Sequence, residues 1–220
     1  MDVHAALGEL RERIRATGVP LERVRLVAVT KSFGPAAVRA ALDEGITDLG
    51  ENYVDELGET RRACEGWTPT PRWHYLGALQ TNKIARVLEH ADVISSLSRA
   101  REIDRLVRLN ATQEVDVQVD FTGRPERGGA SPEEVPDLVA RALDGGLRVR
   151  GLMTVAPPER TAAQRAFGSL AGLASRLGLS ELSMGMSDDL ELALAEGSTE
   201  IRVGRALFGP RAPRVGAALT

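Results

Sequence analysis

The sequence predicts a (β/α)8 barrel: a single TIM-barrel α/β domain over residues 1–220 with an extra N-terminal helix. Short apolar runs alternate along the whole chain with segments of three- and four-residue apolar spacing. That is the pattern of right-handed βαβ units around a parallel sheet. Eight runs follow one another without a break, which suits a closed barrel at the small end of its length range. The first strand-to-helix turn reads K-S-F-G-P, without the G-x-G-x-x-G that an open doubly wound sheet usually carries there.

The N-terminal stretch M-D-V-H-A-A-L-G-E-L-R-E-R-I-R is charged and helical in period. Residues 3–16 are therefore read as the extra amphipathic helix and not as a secretory signal. Strands are expected at 25–30, 47–50, 72–77, 92–95, 115–120, 148–153, 181–184 and 200–203, each a short apolar or β-branched run. Helical spacing covers 36–44, 81–90, 100–110, 132–143, 162–177 and 188–195, and a further helix opens at Tyr53. No low-complexity stretch, repeat or linker marks a second domain. The most loop-like piece is F-T-G-R-P-E-R-G-G-A-S, residues 121–131.

Composition excludes several classes of function. At 43% hydrophobic and 27% charged, the chain is that of a soluble globular protein. A net charge of -3 and a pI near 5.7 leave no electrostatic footprint for nucleic acid. No apolar segment is long enough to span a bilayer. The lone cysteine, Cys64, allows no intrachain disulfide and fits a reducing compartment, so a cytoplasmic location is expected. It is read as a small helix residue. His4, His74 and His90 lack ligand spacing, and no metal is expected. Trp67, Trp73 and Tyr75 are read as packing residues, and neither a G-x-S-x-G elbow nor a Walker loop occurs.

In such a barrel the reactive groups gather where the strands end. The candidates are Lys31 after the first strand, Glu51 and Asn52 after the second, and Gln80, Asn82 and Lys83 after the third. Met153 and Thr154 end the sixth, Ser187 follows the seventh, and Gly204 and Arg205 follow the eighth. Of 28 basic residues only Lys31 and Lys83 are lysines. An amine, unlike a guanidinium, can lose its proton and attack a carbonyl, and partial burial favours that state. Lys31 is thus a candidate Schiff-base lysine. The competing reading is a lysine that snorkels from the strand end or pairs with an acid.

S-M-G-M-S-D-D-L-E-L (183–192) and I-R-V-G-R-A-L-F-G (201–209) are strand–turn–helix junctions with Gly185 and Gly204 at the turns. Turns after strands seven and eight are where barrels commonly bind phosphate, here with Ser187 as an added hydroxyl. Against this, Ser187 or Asp188 can simply cap the next helix, with Asp188 and Glu191 as a capping-box-like pair. Asn52, in G-E-N-Y, can offer an amide to a ligand. A Schiff-base lysine after strand one and a phosphate cradle after strands seven and eight together describe a pyridoxal 5'-phosphate site.

The chain resembles the YggS/PROSC family of pyridoxal phosphate homeostasis proteins. The likeness runs through A-V-T-K (28–31), G-E-N-Y-V-D-E (50–56), W-H-Y-L-G-A-L-Q-T-N-K (73–83), G-L-M-T-V-A-P (151–157), S-M-G-M-S-D-D (183–189) and I-R-V-G-R-A-L-F-G (201–209). It implies an alanine-racemase-like barrel standing without a second domain, with Lys31 holding pyridoxal phosphate as an internal aldimine. It further implies that Ser187 and the backbone N–H groups of Gly204 and Arg205 bind the phosphate and that Arg202 faces the pyridine nitrogen. A guanidinium there disfavours protonation of the ring and makes a weak electron sink. Two positions depart from the family: Arg205 stands where threonine is common, and Arg127 where the loop after strand five often has lysine. The function implied is a carrier that supplies the cofactor to apo-enzymes; a monomer is expected because no repeated apolar helix face is left over. The alternatives are a racemase, which needs a second base that only Tyr53 or Tyr75 could supply as a tyrosine, and a Schiff-base aldolase without the cofactor.

Overall fold

Residue alternation decides the architecture. Outward strand residues are largely apolar, while charged side chains such as Arg25, Asp48, Asp116 and Glu200 point into the barrel, so the two faces of the sheet meet different surroundings. The computed structural model describes residues 2–124 and 128–210. Its strands are β1 (Arg25–Val29), β2 (Asp48–Glu51), β3 (Arg72–Tyr75), β4 (Val93–Leu97), β5 (Glu114–Val119), β6 (Arg148–Thr154), β7 (Glu181–Ser183) and β8 (Glu200–Val203). They close in chain order into one barrel, β8 pairing in parallel with β1. The helices are α1 (Val3–Ala16), α2 (Pro35–Asp43), α3 (Val54–Ala63), α4 (Ile84–His90), α5 (Ala100–Arg108), α6 (Val135–Asp144), α7 (Arg160–Arg176), α8 (Leu190–Ala195) and the single turn α9 (Arg205–Phe208).

The expected strands are all present, with ends shifted by one or two residues. Two helix starts moved further: α4 begins at Ile84 rather than 81, and α6 at Val135 rather than 132, because tight turns precede both. α1 is where its period placed it, capped by the Asp2 carboxylate, which accepts from the Ala5 N–H at 3.0 Å. Leu7, Leu10 and Ile14 bury its apolar face, and Arg13 binds Glu191 of α8 at 2.7 and 2.9 Å.

The outward strand residues, among them Leu49, Trp73, Val117, Leu152 and Ile201, share one apolar core with the helices. Each such fully buried side chain contributes about 2–3 kcal/mol. The inward residues form ion pairs, two of which skip a strand. Arg150 of β6 holds Asp116 of β5 at 2.6 Å and Glu200 of β8 at 2.9 Å, and Arg25 of β1 reaches Glu181 of β7 at 2.8 Å. His74 lies 2.8 Å from Asp48. Salt bridges thus fill the lower barrel where aliphatic layers are usual. Among the described residues, no helix is long and apolar enough to cross a membrane, and no group of three or more His, Cys, Asp or Glu could hold a metal.

Candidate cofactor site

Closure of the barrel sets Lys31 beside residues more than 150 positions away in the chain. β1 pairs with β8 as far as Ala28 and Val203, so the turn that follows β1 meets the turn that follows β8. Thr30 extends the ladder by one bond, its N–H donating to Gly50 O at 3.0 Å. The chain then turns sharply: Phe33 N–H returns to Thr30 O at 2.9 Å, and Ser32 has φ 67. Gly34, at φ 71, ends the turn, and Pro35 starts α2. Lys31, half-buried, projects into a cavity at the barrel mouth.

The turns after β7 and β8 form the opposite wall. Gly185 has φ 93, and a Cβ there would stand 2.5 Å from that of Ala193, so only glycine lets the turn lie this close to α8. Ser187 does not cap that helix: its Oγ accepts the Ala206 N–H at 3.3 Å and ties the two turns together. The capping-box expectation for Asp188 and Glu191 fails. Asp189 is the residue before α8 and turns back to accept the Met186 N–H at 2.6 Å. Asp188 pairs with Arg205, and Glu191 is taken by Arg13. Both aspartates are thus engaged, Asp188 by a cation and Asp189 by a backbone N–H.

Arg202 lies on β8 with its side chain buried against the cavity floor. It donates to Ser183 O and Oγ and to Thr154 O, each at 2.7 Å. Burial pushes its guanidinium below its ordinary pKa, opposed by Glu200, Asp189 and Asp116.

The six residues singled out from the sequence, Lys31, Asn52, Ser187, Arg202, Gly204 and Arg205, line one cavity of about 440 Å³. The Oδ1 of Asn52 is buried there without a hydrogen-bond donor among the described residues. Gly77 lets Asn52 come so close, since a Cβ at Gly77 would lie 1.9 Å from Asn52 O. Lys83 precedes α4 and is not part of the cavity wall, nor are Gln80 and Asn82. Arg127 lies outside the described residues. Tyr75 is packed as expected, and Trp73 is buried in the core.

Pro157 of the β6–α7 loop and Arg160 at the start of α7 also line the cavity and were not singled out from the sequence, and Glu51 was given no role there. The Glu51 carboxyl is buried behind Lys31 and accepts from Thr30 Oγ1 at 2.7 Å, while its Oε2 has no partner among the described residues. Burial pushes it up to about 7, against the Thr30 hydrogen bond. A carboxylate at the last position of a strand, on the face of Leu49, was the available signal.

Residues 6–212 match the family model of the alanine racemase N-terminal domain. The chain is 39% identical over 212 residues, 92% of its length, to the pyridoxal phosphate homeostasis protein of Pseudomonas aeruginosa, of which it covers 91%. The chain belongs to this family. PipY of Synechococcus elongatus matches it as a solved structure, at TM-score 0.85 and 33% identity without pyridoxal phosphate and at 0.81 and 34% with it bound. In both cases 94% of this chain and 100% of the other are covered. Alanine racemase of Bacillus anthracis shares the fold alone, at TM-score 0.70 and 20% identity, with 97% of this chain spanning 57% of that one.

Proposed function

We propose that the protein binds pyridoxal 5'-phosphate as a Schiff base on Lys31, limits its free aldehyde in the cytoplasm and passes it to apo-enzymes. The observation that carries this is the complement of groups in one cavity. Lys31 offers an amine to the aldehyde, and the unpartnered Asn52 Oδ1 offers an acceptor to the ring hydroxyl. Arg202 offers a guanidinium to the ring nitrogen. Ser187 and the N–H groups of Gly204 and Arg205 suit the phosphate, with the Arg205 side chain as an added charge. Against an aldolase stand the relatives, which are named for pyridoxal phosphate, since Arg202 would tie the strand ends together in either case. Bound pyridoxal phosphate supplies an electrophilic carbonyl and a conjugated ring; the protein supplies the anchor and the anion site. PipY's pyridoxal phosphate complex and the relatives' names support the same reading.

A carrier fits better than a racemase. Racemisation requires a base on each face of the substrate, and Lys31 can be only one. Tyr75 is buried on the outer barrel face with its hydroxyl toward Ala78 O at 3.3 Å, and Tyr53 is not in the cavity wall. Asp188 and Asp189 are held by Arg205 and by the Met186 N–H. One domain acting as a monomer suffices for a carrier.

The test is cofactor transfer. The yellow protein, desalted and mixed with a cofactor-stripped pyridoxal phosphate enzyme, is expected to restore that enzyme's activity while losing its own absorbance. It is expected to show no α-proton exchange on either enantiomer of alanine in deuterium oxide. Rapid exchange on both would establish the racemase.

A further inference from the structure

The segment G-E-N-Y-V-D-E puts two carboxylates on the residues that flank Lys31. Glu51 Oε1 accepts from the Thr30 hydroxyl at 2.7 Å, and Glu56 Oε2 accepts from the Ser32 N–H at 3.2 Å. Because side chains alternate along a strand, Thr30 turns outward to Glu51 while Lys31 turns into the cavity. The lysine is thus gripped through its neighbours by the end of β2 and the first turn of α3. Ser32 sits between the two grips at φ 67, a backbone conformation that a serine adopts at some cost.

Glu51 is an expensive way to hold a threonine. Its side chain is 1% exposed and one of its oxygens has no partner among the described residues, where a glutamine could hold Thr30 without ionising. We infer that Glu51 is a positioning residue for Lys31, fixing its place through Thr30 and setting the fraction of its amine that is unprotonated near neutral pH. This rests on the proposed use of Lys31 as the cofactor anchor.

The charges around Glu51 give the sign. Burial and the Glu56 carboxylate on α3 favour its neutral form; the Thr30 hydroxyl and the Lys31 ammonium at the end of β1 favour its ionised form. From β3 it faces Tyr75, its partner in the strand register. Below about 7 the carboxyl is neutral and gives the ammonium no support. Above that it is ionised, holds the lysine proton on and slows attack on an aldehyde. Capture by Lys31 therefore rises less steeply with pH than for a lone amine.

The experiment is competitive acylation of the full-length protein, freed of carbonyl compounds by hydroxylamine and dialysis. Acetic anhydride is the probe, and Lys31 and Lys83 peptides are quantified by mass spectrometry between pH 5.5 and 10. Lys83, the other lysine in the chain, is the internal reference. The wild-type Lys31 profile is expected to show an extra step near pH 7 that Lys83 lacks. Glu51→Gln, which keeps an acceptor for Thr30, is expected to abolish that step and raise Lys31 reactivity at pH 8.5 by roughly three- to tenfold. Thr30→Val keeps the carboxyl but removes its donor, so the step is expected to move to higher pH. Superimposable Lys31 profiles in wild type and Glu51→Gln, both folded by circular dichroism, would overturn the inference. The measurement uses no cofactor, so a failure to bind pyridoxal phosphate would register separately, as an absent absorbance band.

Discussion

Arg202 on β8 donates to the carbonyl oxygen of Thr154 at the end of β6, 2.7 Å away, reaching past β7 to do so. The same guanidinium holds Ser183 O and Oγ on β7, so one side chain laces three strand ends beneath the cavity. Arg202→Leu leaves those acceptors buried without donors and is expected to cost about 2–4 kcal/mol. Arg202→Lys should recover only part of that, because one ammonium lacks the planar fork that spans both strands. Urea unfolding at constant m-value measures both.

Glu51 also predicts a pH dependence of stability. Its pKa is raised to about 7 in the folded protein, so folding favours its protonated form. That contribution is fully present below the ordinary carboxyl pKa and is lost as pH rises toward 7. Glu51→Gln cannot ionise. Its stability relative to wild type should therefore improve between pH 4.5 and pH 8, by about 2–3 kcal/mol. Denaturation midpoints at the two pH values give the result directly.

The interior ion network has the opposite sign. Glu200 is held down to about 2 although its burial opposes this, because His74 and Arg150 and the Ser183 hydroxyl favour the ionised form. Its contribution is present above the ordinary carboxyl pKa and disappears as pH falls through about 2. Glu200→Gln leaves Arg150 short of a counter-charge and is expected to cost about 3–5 kcal/mol at pH 7. The gap from wild type should narrow steadily as pH drops toward 2 in acid titrations followed by circular dichroism.

Much of this was legible in the sequence, for identifiable reasons. Strand-then-helix alternation gave the barrel, and the barrel rule turned strand ends into site candidates, which is how Lys31 and Gly204 were found although far apart in the chain. The interior was less legible. E-V-D in β5 and R-V-R in β6 show charges with period two, but only closure reveals that Asp116, Arg150 and Glu200 meet. The partners of the two aspartates before α8 were not legible because Asp188 and Asp189 are adjacent and alike: Asp189 turns back to Met186 while Asp188 pairs with Arg205. Which one turns back depends on Arg205, which lies beyond the next strand and takes Asp188. Pro157 and Arg160 were missed because neither a loop residue nor the first residue of a helix carries a period that shows where it points.

The Arg205–Asp188 pair bears on cofactor retention. Both side chains are largely exposed at the cavity mouth, so their attraction is modest and salt-sensitive. Asp188→Asn should free Arg205 for an incoming phosphate and slow release of pyridoxal phosphate by about threefold. Arg205→Ala should speed it by a similar factor, and both effects should shrink in high salt. Release is read by trapping the freed cofactor with a stripped acceptor enzyme.

The central claim is that Lys31 anchors the cofactor. The most direct measurement is borohydride reduction of the protein loaded with pyridoxal phosphate, followed by peptide mass mapping. Reduction is expected to bleach the visible band and leave a phosphopyridoxyl mass on the Lys31 peptide, with Lys83 unlabelled. A label confined to Lys83, or no uptake of the cofactor at all, would contradict it.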